Sequence, residues 1–296
     1  MIGESEWTEE AVREELSHPD LTHAWLLRVD AAPAGVALLY RPRKTDRGLR
    51  VSADGYVHSA FVGRGVGGTI LTLTEKTARA GLAATGAAER AYLHNATFET
   101  ADVTRLYAGH GYQAVRGFLR MAVDLETEPQ VTAVPEVTVR PFVPGADDHD
   151  VWRVVETSFT DHWEHAHRPY DEWRVRRMES PSYDPGLWFV AEAAGEVVGA
   201  LIGGWKSEGD FGLVETLGVL APWRRRGIAE ALLGSSFAEF WRRGERRVGL
   251  GVDESSPTGA TRVYERVGMH VVWRAVVYEK ELHPGEPRCS LPHAGG

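Results

Sequence analysis

Cysteine is all but absent: the only thiol in 296 residues is Cys289, which excludes an internal disulfide and points to a reducing, cytoplasmic setting. No apolar run approaches the roughly 18 residues that a membrane-crossing helix needs. The acidic start Met1-Ile2-Gly3-Glu4-Ser5-Glu6 lacks the basic-then-apolar order of a secretory leader. No membrane partner is expected. Positive charge is also in deficit, with 33 Lys and Arg against 42 Asp and Glu and a net charge of −9. A chain of that sign offers no broad basic surface to a phosphate backbone, so nucleic acid is not expected as a partner.

What is present fits a globular protein of two ordinary domains, with 43% hydrophobic and 25% charged residues. Against the acidic background stand two arginine clusters, Arg224-Arg225-Arg226 and Arg242-Arg243 with Arg246-Arg247. Such islands suit a small polyanion better than a duplex. The second cluster reads as a solvated helix face.

The chain contains an internal repeat. Residues 57–67, Val-His-Ser-Ala-Phe-Val-Gly-Arg-Gly-Val-Gly, align without a gap on 219–229, Val-Leu-Ala-Pro-Trp-Arg-Arg-Arg-Gly-Ile-Ala. In each an apolar run precedes an aromatic residue, then Arg-Gly-x-small, then a helical pattern. Farther on, Thr104-Arg105-Leu106-Tyr107 with Gly111 matches Thr261-Arg262-Val263-Tyr264 with Gly268. Two landmarks in one order indicate tandem copies: residues 1–127, a proline-interrupted linker at 128–136, a second copy at 137–282, and a disordered tail at 283–296 that holds Cys289. The second copy reads as a mixed α/β pattern. Helices are expected over 150–158, 170–178, 227–243 and 258–266, and strands over 137–140, 187–193, 197–203, 211–219, 247–252 and 271–278. The first copy shows a helix at 8–16 and a hairpin at 23–29 and 34–40, but no counterpart of the opening strand and first helix. It is therefore truncated or degenerate, or borrows structure from its neighbour.

A strand that ends in a small-residue loop opening a helix is an anion site, because the first helical amides lack partners and the dipole adds positive charge. Residues 224–229 have that form. In the first copy Gly63, Gly65 and Gly68 spell a dinucleotide fingerprint, yet the second copy does not keep the glycine triplet, and the strand 91–94 lacks the acidic end that would hold a ribose.

Residues 219–229 followed by Tyr264-Glu265-Arg266-Val267-Gly268-Met269 resemble the acyl-CoA loop and tyrosine-glycine motif of the GCN5-related N-acetyltransferase (GNAT) superfamily. The resemblance covers about 145 residues of the second half and a shorter part of the first. The tandem arrangement is similar to that of mycothiol synthase-like two-domain acetyltransferases. It implies two tandem GNAT-like α/β domains and an acetyl-CoA-dependent N-acyltransferase acting by direct attack in a ternary complex, with a small-molecule primary amine as acceptor. A mycothiol-precursor acetyltransferase, a protein N-acetyltransferase and a non-catalytic acyl-CoA-binding regulator are the alternatives. A monomer or homodimer is expected.

The resemblance also implies roles for residues. Strand 213–219 would splay from its neighbour and pair with the pantetheine arm, with an amide among Leu217, Gly218 and Val219 polarising the thioester. Arg224, Arg225, Arg226, Gly227, Ile228 and Ala229 would hold the pyrophosphate. Glu215 would be the general base, acting through a water, and Tyr264 the proton donor to the departing thiolate. A possible second cofactor site comprises Arg64, Gly65, Val66, Gly67 and Gly68. There the offset of 162 sets Val62 at the place of Arg224 and Ala53 at that of Glu215, so the first copy is a doubtful catalyst although Tyr107 persists. His162, Trp163, His165 and Tyr170 fall where the acceptor pocket would lie. No metal is expected, because His162, His165 and His167 lack a carboxylate or Cys partner at a recognised spacing.

Overall fold

The computed structural model describes residues 13, 15–86, 89–160, 162–163, 167–180, 183–205, 211–256 and 259–284. In chain order they form β1 (Leu21–Val29), β2 (Ala32–Tyr40), β3 (Arg43–Thr45), β4 (Gly48–Val57), α1 (Val66–Thr85), β5 (Ala91–Phe98), α2 (Ala101–Gly109) and β6 (Gln113–Asp124). Then follow β7 (Thr138–Pro141), α3 (Asp148–Ser158), α4 (Tyr170–Met178), β8 (Trp188–Ala193), β9 (Glu196–Trp205), β10 (Gly212–Val219), α5 (Ile228–Arg242), β11 (Arg247–Asp253), α6 (Ala260–Arg266) and β12 (His270–His283). The helix expected over 8–16 and the tail from 285 onward, Cys289 included, lie wholly or mostly outside the described residues. The last strand is longer than its apolar pattern suggests and runs through His283.

The chain divides into two compact units, and these do not follow the two copies of the repeat. One unit contains Phe118–Arg274, and the other contains 9–117 together with 275–296 so far as described. Each unit thus takes its closing strand segment from the other copy. Residues 118–124 of β6 lie antiparallel to β11, and residues 275–283 of β12 lie antiparallel to β5. The copy boundaries at 127 and 137 mark the repeat in the sequence but not the packing.

In the unit of 118–274 the sheet order is β7-β8-β9-β10-β11 and then the end of β6. Strands β8 and β9 turn through Ala194 and Gly195, both at positive φ (50° and 81°), which matches the twist of a two-residue hairpin. Apart from Glu192 and Glu196, β8 and β9 consist of apolar residues and glycine, and both strands are buried almost throughout. Helix α5 covers one face with Ile228, Leu232, Phe237 and Phe240, each 3% exposed or less. Its burial is wider than one stripe, since Leu233, Gly234 and Ser236 are buried as well. The reason is the segment read as a linker: the Gln130 carbonyl oxygen would be 3.2 Å from a Cβ on Gly234, so part of this segment packs on the back of α5.

In the other unit β1-β2-β4-β5 continue to residues 275–283, with β3 on β4. Its core joins Leu39, Val51, Leu71, Leu93, Tyr107 and Tyr278. Helix α1 packs on β2 and β4, where Val66 and Ile70 meet Ala34 and Ala37. Both units are mixed α/β.

Candidate active site between β10 and β11

Strands β10 and β11 pair in parallel for only three residues, Gly212 with Val248, Leu213 with Gly249 and Val214 with Leu250. The cause lies one residue further on. Between Val214 and Thr216 the ladder of β10 with β9 slips, which makes Glu215 the extra residue of a β-bulge. A bulge bends its strand and sharpens the local twist. Beyond it β10 stays with β9 as far as Val219 opposite Gly199, β11 stays with β6 as far as Asp253 opposite Phe118, and the facing edges part. Between them opens a cavity of about 660 Å³, with residues 215–219 on one wall and 250–253 on the other. Along that edge the β10 backbone has no strand partner among the described residues, so an extended polar ligand can take the place of a strand.

The loop after β10 makes one tight turn at Ala221–Trp223 and then enters α5. Arg225 and Gly227 both have positive φ, 62° and 85°. Glycine tolerates this, whereas arginine holds it at a cost of roughly 1–2 kcal/mol. The N-terminus of α5 has no side-chain cap, and Gly227, Ile228 and Ala229 line the cavity. The first amides of α5 thus have no side-chain acceptor where the helix start borders the cavity, an arrangement that can receive an anion.

The three arginines of the loop divide. Arg224 donates from Nε to the Val219 carbonyl at 3.0 Å and from Nη2 to the Ser158 carbonyl at 3.4 Å, which ties the loop to β10 and α3. The Arg226 guanidinium lies over the Trp223 ring at 4.7 Å. Arg224 and Arg225 both line the cavity, and so do Arg262 and Arg266 on α6, which the residue pattern did not single out. Their spacing of four residues, one helical face, was the available signal. Arg266 also donates to Glu230 from Nε at 3.0 Å.

Tyr264 lines the same cavity and is 8% exposed. Burial pushes its phenol up to about 12, so it keeps its proton at neutral pH and stands as a hydrogen-bond donor on the cavity wall. The Glu215 side chain, also on the wall, pairs with Arg177 of α4. Ser158, nearly buried, lines the cavity, and its hydroxyl has no hydrogen-bond partner among the described residues.

Of the expected acceptor-pocket residues, His162 and Trp163 reach the cavity. Trp163 lies 6.2 Å from the Phe118 ring and His162 lies 4.3 Å from Phe159, centroid to centroid. Tyr170 does not reach it: its ring packs on His149 at 4.8 Å, Trp152 and Trp173. His165 lies outside the described residues. Among the described residues no cluster of three His, Cys, Asp or Glu could hold a metal.

The loop of the other unit repeats this backbone, with Gly63 and Gly65 at φ 78° and 83° in the places of Arg225 and Gly227. The surroundings differ. A Cβ on Gly67 would be 2.9 Å from Leu106 Cδ2, and one on Gly68 would be 3.1 Å from His110 Nε2, so α2 presses on the helix start. Val66 is buried in the core, and Arg64 lies over Phe61 at 5.1 Å. Strands β4 and β5 part after Ser52 and His94, but the Asn95 side chain bridges them. Tyr107 is buried and stacked on Tyr278 at 4.4 Å.

Upstream of the loop the constant offset of 162 holds only as far as Asp54 and Thr216. Four partner steps along the ladder lead from Val57 opposite Gly35 to Ala53 opposite Leu39. Four steps from Val219 opposite Gly199 lead to Val214 opposite Gly203. Ala53 is level with Val214, and the bulged Glu215 has no counterpart on β4.

The chain is similar to known proteins over most of its length. Residues 149–269 match the family model described as the acetyltransferase (GNAT) family. A mycothiol acetyltransferase of Thermobispora bispora is 33% identical over 73% of this chain and 72% of its own length. One from Streptomyces griseus is 31% identical over 85% and 78%. Among solved structures, a GCN5-related N-acetyltransferase from Sphaerobacter thermophilus superposes with a TM-score of 0.78 at 33% identity, covering 94% of this chain and 87% of that one. A tandem GNAT protein from the clavulanic acid pathway shares the fold at a TM-score of 0.67 and 15% identity, covering 90% and 85%.

Proposed function

The chain belongs to the GNAT family of acetyltransferases, and from that premise we propose that it moves the acetyl group of acetyl-CoA to the primary amine of a small molecule in the cavity between β10 and β11. The observation that carries this reading is the parting of β10 from β11 at the Glu215 bulge, beside a helix start whose amides line the same cavity. The pantetheine arm runs along the open edge of β10, an amide among Leu217, Gly218 and Val219 polarises the thioester oxygen, and the amides of Gly227, Ile228 and Ala229 hold the pyrophosphate. Arg224 and Arg225 are the loop arginines on this wall, with Arg262 and Arg266 adding charge from α6, and Arg224 also keeps the loop in place.

An alkylamine with a pKa near 10.4 is only about 0.1% neutral at physiological pH. Glu215 removes the proton through a water, the neutral amine attacks the thioester carbon, and collapse of the tetrahedral adduct expels the thiolate; Tyr264 gives the thiolate its proton, and the phenolate regains one from the adduct nitrogen as the amide forms. His162, Trp163, Phe118 and Phe159 form the aromatic side that receives the acceptor. The relatives named mycothiol acetyltransferase make an amine of that pathway the first acceptor to try. A panel of amines scored for thiol release from acetyl-CoA and longer acyl-CoAs checks the proposal. Acetylation of protein lysines alone, with no small amine turned over, would replace it.

A further inference from the structure

The bulge explains where Glu215 leaves the strand, but not what holds its carboxylate. A Cβ built on Gly204 would lie 2.5 Å from Oε1 of Glu215, 3.3 Å from its Cδ and 3.8 Å from its Cγ, and these are the three heavy atoms nearest to it. The carboxylate therefore rests on the β9 backbone in space that only a glycine leaves open. Its other oxygen, Oε2, accepts from Nη1 of Arg177, and Nη2 of the same guanidinium donates to Oγ1 of Thr216 at 3.3 Å. Arg177 stands in the last turn of α4, so one carboxylate is gripped by a floor from β9 and a clamp from α4. Neighbouring Gly203 is a glycine for another reason: its Cβ would be 2.6 Å from the Leu187 carbonyl oxygen, a clash with backbone.

We infer that Gly204 and Arg177 are positioning residues that aim the Glu215 carboxylate at the acceptor amine. The inference rests on the reading of Glu215 as general base. A glutamate on a half-exposed strand position is free to occupy several rotamers, and an acid–base group must stay within about 0.5 Å of its working position. The bulge turns the side chain out of the regular ladder, the missing side chain at 204 makes the seat, and Arg177 fixes the second oxygen. Neither Gly204 nor Arg177 is part of the cavity wall; both act through Glu215.

The experiment compares Gly204→Ala, Arg177→Met and Arg177→Lys, each alone and combined with Glu215→Gln, by kcat, KM for the amine and Kd for acetyl-CoA. Gly204→Ala is expected to lower kcat about tenfold or more, since a misplacement near 1 Å costs up to about 10²-fold, with acetyl-CoA Kd changed less than about twofold. Arg177→Met should behave alike, and Arg177→Lys should recover part of the loss. In the Glu215→Gln background Gly204→Ala should add less than about twofold, because no base remains to be misplaced. A Gly204→Ala variant with full kcat, or one whose loss is as large in that background, overturns the inference. Should Gly204→Ala fail to fold, equal kcat in wild type, Arg177→Met and Arg177→Lys overturns it instead. Full activity in Glu215→Gln alone overturns the general-base reading itself, and that result needs no variant of the seat.

Discussion

The Asn95 amide spans the gap between β4 and β5, its Nδ2 donating to the Ala53 carbonyl at 2.7 Å. The matching gap between β10 and β11 holds an open cavity with Tyr264 on its wall, whereas Tyr107 is stacked on Tyr278 in a unit whose gap is stitched. Tyr264→Phe keeps the ring and removes only the donor, so turnover should fall roughly 10²-fold or more with little change in acetyl-CoA affinity. Tyr107→Phe should leave turnover within about twofold. Side-by-side assays at saturating acetyl-CoA decide this, and equal losses would mean two working sites.

Glu215→Gln should lower kcat most at neutral pH and recover part of it as rising pH deprotonates the amine in solution. The measurement is a rate profile from pH 7 to 10 with one alkylamine acceptor. A constant ratio to wild type across that range would remove the proton-abstraction role.

Tyr264 also ties stability to alkaline pH. Its folded pKa of about 12 stands above the ordinary 10.0 because burial disfavours the phenolate. A raised folded pKa contributes stability that is fully present below pH 10 and is lost between pH 10 and 12. For two pKa units the loss is about 2–3 kcal/mol. Between pH 9 and pH 11.5 the urea midpoint of wild type should therefore fall further than that of Tyr264→Phe. A difference that does not change with pH contradicts the burial of this phenol.

At the loop, acetyl-CoA should raise the melting temperature by binding the folded state, and Gly227→Trp should abolish most of that shift. Arg225→Gly separates charge from conformation. Relief of the left-handed backbone and the added freedom of glycine in the unfolded chain are each about 1 kcal/mol and opposed, so stability should hardly move. Loss of the guanidinium should still raise acetyl-CoA Kd about threefold to tenfold. Calorimetric titration and a thermal melt on the same sample check both halves of this expectation.

Local pattern and local chemistry were legible in the sequence. Helix Tyr170–Met178, the hairpin through Ala194 and Gly195 and the loop into α5 follow from side-chain periodicity and glycine placement within a few residues. Tyr264 was marked by its place in the repeat. The exchange of closing strands was not legible, because residues 118–124 and 275–283 carry similar β-rich patterns and only long-range pairing selects the neighbour. Nor was the bulge at Glu215, which depends on how β10 meets β9, or the separation of Arg224 from Arg225, which depends on which carbonyls lie within reach. Gly204 and Arg177 lie 11 and 38 residues before Glu215 in the chain; the sheet and α4 bring them to one carboxylate. Residue type and spacing determined which groups this protein has for its chemistry. The tertiary structure decided which of them meet, because hydrogen-bond partners and steric space come from chain segments that no local window contains.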